Sequence, residues 1–438
     1  ENSIAVISVR KTATPSNLLD DGCFYILWYS KNEGRAHFNP IYSPKPCDEW
    51  ARDTPGGSWG AEIDGARRSL TPEEKADVSL LPEGAHVYCL SKTTSAGASS
   101  NPEDLQFFGQ EFSLKENEHW KTSKEGMKRL YLANRLETRG RLWFTKFYND
   151  GQFKRMNNVW TDTAGKSGEA LYVVQTQTNV VERCMLMTTK PGDLVLDPTC
   201  GSGTTAYVAE TWGRRWITID SSRVAVAIAR QRLLIANFET FKTKDESEGV
   251  DPEQPKNPAA GFHYRTAAHI MLGEIANNKS LDPIFEKHEP ILDLALDSLN
   301  GNLFELPPSL HLQLVRKLIA KHQEEGSRAI TDADQRRWLL PGTDPQIIQP
   351  LKGGKGLSAI SLKQVADYRA AIPSAEGWQE WEVPFDTDPA WPQDLQTALT
   401  AYRQAWRAKM DEVNACIEAN AEQEELVDQP EIVKGVVR

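Results

Sequence analysis

Two carboxylates, Asp197 and Asp220, lie to either side of the glycine turn in Asp197-Pro-Thr-Cys-Gly-Ser-Gly-Thr-Thr205, a combination of residue types suited to holding a small cofactor. Gly201 and Gly203 allow the backbone to turn sharply and approach a ligand closely. Asp220 ends an apolar run, where an acid can accept hydrogen bonds from ribose hydroxyls. The stretch Gly201-Ser-Gly-Thr-Thr-Ala206 also satisfies the loose Gly-x-Gly-x-x-Gly/Ala dinucleotide pattern, so a nicotinamide or flavin oxidoreductase is a rival reading. Asp197 weighs against it. Placed ahead of the first glycine, its charge would face a pyrophosphate, whereas it suits a ligand carrying an amino group and a sulfonium. A glycine turn that serves only helix packing is the plainest alternative.

The elements that must position these residues follow from periodicity. Leu194, Val195 and Leu196 read as a short buried parallel strand, and Thr204 to Glu210 as the first turns of a helix. Arg215 to Asp220 reads as a second strand ending in the acid. Arg223 to Asn237 carries Val224, Ala227, Ile228 and Leu234 at helical spacing. Strand, glycine turn, helix, strand, acid is the expected order.

On these residues the chain resembles the S-adenosylmethionine-dependent DNA amino-methyltransferases. Within them it is most similar to the permuted, beta-group enzymes that include the methylation subunit of type III restriction-modification systems. Asp197 to Thr205 resembles that family's cofactor motif, and Trp212-Gly-Arg-Arg-Trp-Ile-Thr-Ile-Asp220 the acidic strand after it. Tyr172 to Cys184 is similar to the helix leading into the cofactor strand, and Asn158-Val-Trp-Thr-Asp162 to the tryptophan segment before it. Val9 to Thr12 and Phe24 to Lys31 resemble strands of the catalytic half; fainter likenesses occur at Phe262 to Asn278 and Ala421 to Arg438. The resemblance implies an α/β, Rossmann-like class I methyltransferase fold in circularly permuted order. It implies S-adenosyl-L-methionine held by Asp197, Pro198, Thr199, Cys200, Gly201, Ser202, Gly203, Thr204 and Asp220. Double-stranded DNA is the implied substrate, extruded adenine the implied target, and restriction-modification the implied setting.

One departure matters. These enzymes hold the target base with an Asp/Asn/Ser-Pro-Pro-Tyr/Phe tetrapeptide, and the only Pro-Pro pair here, Pro307-Pro308, sits in Glu-Leu-Pro-Pro-Ser-Leu. No catalytic residue can therefore be assigned. In the permuted order the tetrapeptide precedes the strands recognised here, and the chain begins at Glu1 rather than Met, so it is expected to be an internal fragment, inactive alone. A non-catalytic cofactor- and DNA-binding module and a cytosine amino-methyltransferase stay open as alternatives. A lesser departure is Val174-Gln-Thr-Gln177 in place of a Thr-Gln-Lys-Pro-like lead-in.

A net charge of −11 argues against uniform phosphate contact, yet charge is unevenly spread. Between Lys121 and Arg155 ten cations meet three carboxylates, and aromatic residues interleave from Trp120 to Phe153. Lys121, Lys124, Lys128, Arg129, Arg135 and Arg141 are the candidate DNA contacts, in the region where the resembling family carries target recognition. A charged helix followed by a hairpin with core aromatics is the alternative.

With 438 residues, 39% of them hydrophobic, two or three folded domains are expected. The expected divisions are catalytic-half strands at 1–45, an irregular target-recognition region at 46–165, the cofactor half at 166–245, a linker at 246–261 and a mainly α-helical region at 262–438. Helical spacing marks Leu292 to Leu299, Leu310 to His322 and Leu395 to Glu424, while Ser95 to Pro102 reads as a loop. Gly353-Gly-Lys-Gly356 lacks the spacing of a phosphate loop and reads as a surface turn. Six scattered cysteines without a CxxC pair and eight unclustered histidines suggest reduced thiols and no metal, and a cytoplasmic protein without a membrane span is expected. The type III resemblance implies a nuclease-helicase restriction subunit as partner, which solitary methyltransferases would not need. The helical region could dock a partner, support a homodimer or simply pack.

Overall fold

A computed structural model of the chain describes residues 2–15, 18–53, 59–99, 103–164, 175–245, 257–303, 306–326, 329–343, 365 and 377–437. The chain is a mixed α/β protein of two compact units. The first gathers Glu1–Lys45, Phe153–Ala267 and Gln423–Arg438; the second gathers Pro46–Gln152 and Ala268–Glu422.

In the first unit, β1 (Asn2–Thr14) and β2 (Asp21–Ser30) form the antiparallel hairpin expected from their apolar alternation. The short strand Val159–Trp160 lies parallel to β1, with Trp160 opposite Val9. The helix α1 (Thr178–Thr188) leads into β3 (Leu194–Asp197), then come α2 (Thr204–Thr211), β4 (Arg215–Thr218) and α3 (Arg223–Ile235). β3 and β4 pair in parallel, Leu194 opposite Arg215 and Asp197 opposite Thr218. The crossover between them is α2, as a parallel pair requires. Ile7, Val9, Trp160, Leu186, Val208, Trp212, Phe241 and Val427 make the core.

Among the described residues one face of this parallel pair is bare. Val195 and Trp216 pack inward, while Leu194, Leu196, Ile217 and Ile219 are 53%, 61%, 48% and 53% exposed. On α3, Val224, Val226, Leu234 and Ile235 are exposed as well. Parallel strands are ordinarily covered on both faces, so this apolar surface is the anomaly of the fold.

The second unit departs from the irregular region expected at 46–165. It holds a five-stranded antiparallel sheet in the order Leu136–Thr138, Leu142–Phe147, His86–Lys92, Trp59–Ile63, Ala66–Ser69. The expected loop at Ser95 to Pro102 begins inside a strand, Thr94–Ala96, which pairs with Glu118–Trp120; residues 100–102 lie outside the described residues.

The helices at Asp282–Gly301, Pro308–Glu325 and Gln393–Asn420 match the expected spacing. The last stops short of Glu424, because Glu422–Pro430 is a strand paired with Tyr264–His269. Met127, Leu130 and Phe144 share a core with Ile275, Phe285 and Val413. Gly353-Gly-Lys-Gly356, most of the 246–261 linker and Tyr172 to Val174 lie outside the described residues. Among the described residues no helix is long and apolar enough to cross a membrane.

Candidate cofactor site

The site is assembled where β3 and β4 end side by side. Beyond the paired residues, the Ile219 amide donates to the Asp197 carbonyl at 2.8 Å and the Cys200 amide to the Ile219 carbonyl at 2.9 Å. This continuation of the ladder brings Asp220 to the glycine turn. Its carboxylate accepts the Gly201 amide at 2.9 Å on one oxygen and the Ser222 amide at 2.8 Å on the other. The Ser222 and Gly201 amides hold the Asp220 carboxyl below the usual carboxylate range, so it is an anion across the neutral region. Asp197 closes its own turn by accepting the Thr199 amide at 3.0 Å.

The turn is left-handed at both glycines, with φ of +50° at Gly201 and +75° at Gly203. The Gly203 amide donates to the Cys200 carbonyl at 2.8 Å, and its carbonyl starts α2 by accepting the Tyr207 amide at 2.9 Å. A Cβ on Gly203 would stand 2.8 Å from the Ala229 Cβ of α3, so the packing reading of this glycine is physically sound and coexists with a ligand role for Gly201.

The nine candidate cofactor residues therefore divide by burial. Pro198 and Thr199 are exposed, and Asp197, Gly201 and Asp220 are half-buried; these five can meet a ligand. Cys200, Ser202, Gly203 and Thr204 are buried and shape the turn.

Arg232 completes that shaping. Its guanidinium donates to Thr204 Oγ1 at 3.1 Å and the Ser202 carbonyl at 3.4 Å, and lies 4.6 Å from the centre of the Tyr207 ring. Sequence reasoning missed it. Its spacing from Ala225 and Ala229, both buried on the inward face of α3, was the available signal. Upstream, Asp162 pairs with Arg183 of α1 at 2.5 Å, and Arg183 also lies over Trp160. This contact fixes α1, from which Glu182 accepts the Trp212 indole proton at 2.9 Å.

The six candidate DNA contacts fall in the second unit and differ in exposure and in the partners that hold them. Lys121, Lys124 and Lys128 are exposed, the last two one turn apart on the helix Lys124–Leu132. Arg129 is held bidentately by Asp282 at 2.7 and 2.8 Å. Arg141 pairs with Glu118 at 3.4 Å. Arg135 is buried, its guanidinium 2.6 Å from the equally buried Asp150 and stacked 4.5 Å from the Phe147 ring. Such a residue is spent internally. Of the interleaved aromatics, Phe144 is core and Tyr131 packs against Phe107 and Phe108.

Comparison with known proteins bears on both regions. Residues 19–231 match the N6_N4_Mtase family, described as DNA methylase. Over 95 residues the chain is 43% identical to the type II methyltransferase M2.DpnII of Streptococcus pneumoniae, a match covering 21% of this chain and 35% of that protein. Over 91 residues it is 42% identical to the type II methyltransferase M2.LlaDCHI of Lactococcus lactis subsp. cremoris, covering 20% and 33%. A longer match, 26% identical over 297 residues, covers 65% of this chain and 58% of the type II methyltransferase M.EcaI of Enterobacter cloacae. The chain thus spans between a third and three fifths of the length of these relatives. The similarity supports a DNA methyltransferase.

Proposed function

We propose, starting from the DNA methylase similarity of residues 19–231, that this chain belongs to a site-specific DNA amino-methyltransferase. It has a Rossmann-like cofactor half in permuted order, uses S-adenosylmethionine and acts on adenine. The observation that carries the reading is the Asp220 carboxylate clasped by the Gly201 and Ser222 amides where the two parallel strands end. The ends of parallel strands are where α/β folds bind nucleotides.

The residues present fit that cofactor. Each oxygen of Asp220 accepts one amide proton and keeps a lone pair for a ribose hydroxyl. Asp197 and Asp220 together make the mouth of the turn acidic, which favours an ammonium and a sulfonium over a pyrophosphate. S-adenosylmethionine, when bound, supplies an electrophilic methyl group on a sulfonium sulfur. The chain's own residues bind and orient: Asp220 takes the ribose, Asp197 lies toward the amino-acid end, and Gly201 permits close approach of the backbone. Arg232 holds the first turn of α2 so that the cradle is rigid before the ligand arrives.

The base-holding Asp/Asn/Ser-Pro-Pro-Tyr/Phe tetrapeptide is not in this sequence. The reading therefore includes a further segment that carries it, and the bare apolar face of β3, β4 and α3 supports such a segment as its cover. Without it the chain acts as a cofactor- and DNA-binding module, and the choice of adenine over cytosine belongs to residues of that pocket. A type III-like restriction subunit and a second copy of the chain are the partners this reading allows.

Calorimetric titration tests the cradle. S-adenosylmethionine should bind one to one and reduced nicotinamide dinucleotide should not. Asp220→Ala should weaken the former by on the order of tenfold, as expected on losing one charge-assisted hydrogen bond. Unchanged affinity in that variant sinks the assignment. With Asp220 held below its ordinary value of 3.8, its contribution is full above that pH and fades only as acid protonates it. Affinity should therefore show no Asp220-linked loss between pH 7 and 4.

A further inference from the structure

The second unit contains a cavity of about 170 Å³ that the cofactor site does not use. It forms where the chain leaves one sheet and enters a ribbon. Strand His86–Lys92 pairs with Leu142–Phe147 so that Lys92 faces Trp143, and two residues later Thr94 pairs with Trp120 across the ribbon. Thr93 locks the switch, its buried hydroxyl donating to the Leu142 carbonyl at 2.8 Å. Two indoles, Trp120 and Trp143, thereby line one hollow together with Lys92, Lys115 and Arg141.

The donor and acceptor groups there are unevenly spent. Trp120 gives its indole proton to the Glu103 carbonyl at 2.9 Å, which fixes its ring. The Trp143 indole nitrogen is buried and has no hydrogen-bond partner among the described residues. Such a donor is costly to leave unmade. Glu111 and Glu118 add acceptors to the wall, and Glu118 meets Arg141 only at 3.4 Å. Next to the hollow, Lys121 has its ammonium pKa lowered by partial burial and by the nearby charge of Lys92. Two cations are gathered where an anion would relieve them.

We propose that this hollow seats one unstacked nucleotide of the DNA, its base against the Trp120 and Trp143 indoles and its phosphate on Lys92 and Arg141. Its volume is well below the roughly 300 Å³ at which sites for drug-sized ligands begin, so it takes one base, with the phosphate at its rim, and not a whole cofactor. Aromatic faces stack on any base, while the glutamate acceptors can take the amino group of a base edge. The inference rests on the reading of this chain as DNA-directed, and it gives the second unit a contact with single-stranded character, distinct from the cradle of the first.

Indole ¹⁵N–¹H spectra of the whole chain test it, with the Trp143 signal assigned through Trp143→Phe. Addition of deoxyadenosine or thymidine monophosphate should shift that signal saturably. Lys92→Ala, an exposed position whose variant is first checked by thermal melting, should weaken the response by about tenfold. An equal response to inorganic phosphate would reduce the hollow to an anion site and overturn the proposal. No shift with the monophosphates, while S-adenosylmethionine still binds, would overturn it and leave the proposed function standing. Failure of both ligands would remove both.

Discussion

Gly203 shows how a single missing side chain can serve packing and ligand access together. A methyl group there would meet the Ala229 Cβ at 2.8 Å while the backbone sits at φ +75°. Gly203→Ala should therefore destabilise the first unit by about 1–3 kcal/mol, the usual cost of a non-glycine residue in a left-handed position, measured by chemical denaturation. It should also loosen the start of α2 and, with it, the amide of Gly201. These glycines were legible in sequence because the constraint is local: strand, turn and helix follow within about a dozen residues. Asp220 was legible for the same reason, as the terminus of the next apolar run. Arg232 was not, since a charged residue at inward helical spacing reads as surface until Ser202 and Thr204 are seen beneath it.

Whole elements tell the opposite story in the second unit. Its strands carry three to seven residues of weak local signal, and although two of the pairings are short hairpins, the central strand His86–Lys92 finds Leu142–Phe147 far along the chain, so a five-stranded sheet reads as irregular loop. The same distance hid the ion pairs. Arg129 finds Asp282 153 residues away, and Arg135 finds Asp150 only because the sheet folds them together. A cluster of basic residues thus separates into two kinds. Arg135→Ala should cost about 3–5 kcal/mol of stability in a urea melt, because it strands a buried Asp150. Lys124→Gln with Lys128→Gln should leave that melt unchanged, and should lessen the salt slope of DNA binding by about 1.8, the release of two phosphate contacts. An unaltered slope would take the helix Lys124–Leu132 out of the DNA interface. At Glu422 the glutamate-rich run reads as helix, but pairing with Tyr264–His269 overrides that propensity.

At the scale of the molecule, two features stand out, a bare apolar face and a discontinuous first unit. Leu194, Leu196, Ile217 and Ile219 face solvent from both strands of a parallel pair, with Leu234 and Ile235 exposed on α3. The chain alone should bind an apolar fluorescent dye and sediment with concentration-dependent association; fusion to a segment carrying the tetrapeptide should suppress both. Persistence of the dye signal after fusion would mean that the segment does not cover this face. The first unit is made from three stretches, and among the described residues Glu239–Phe241 pairs with Ile432–Val437. During synthesis its opening hairpin emerges long before the strands that close the unit. At 5–20 residues per second, the interval between Lys45 and Gln423 is roughly 20 to 75 s. Throughout that time the hairpin waits on the ribosome in an unclosed unit, and Glu239–Phe241 and Tyr264–His269, once made, wait for their edge partners. Protection of the nascent chain is thus a requirement written into the order of its segments.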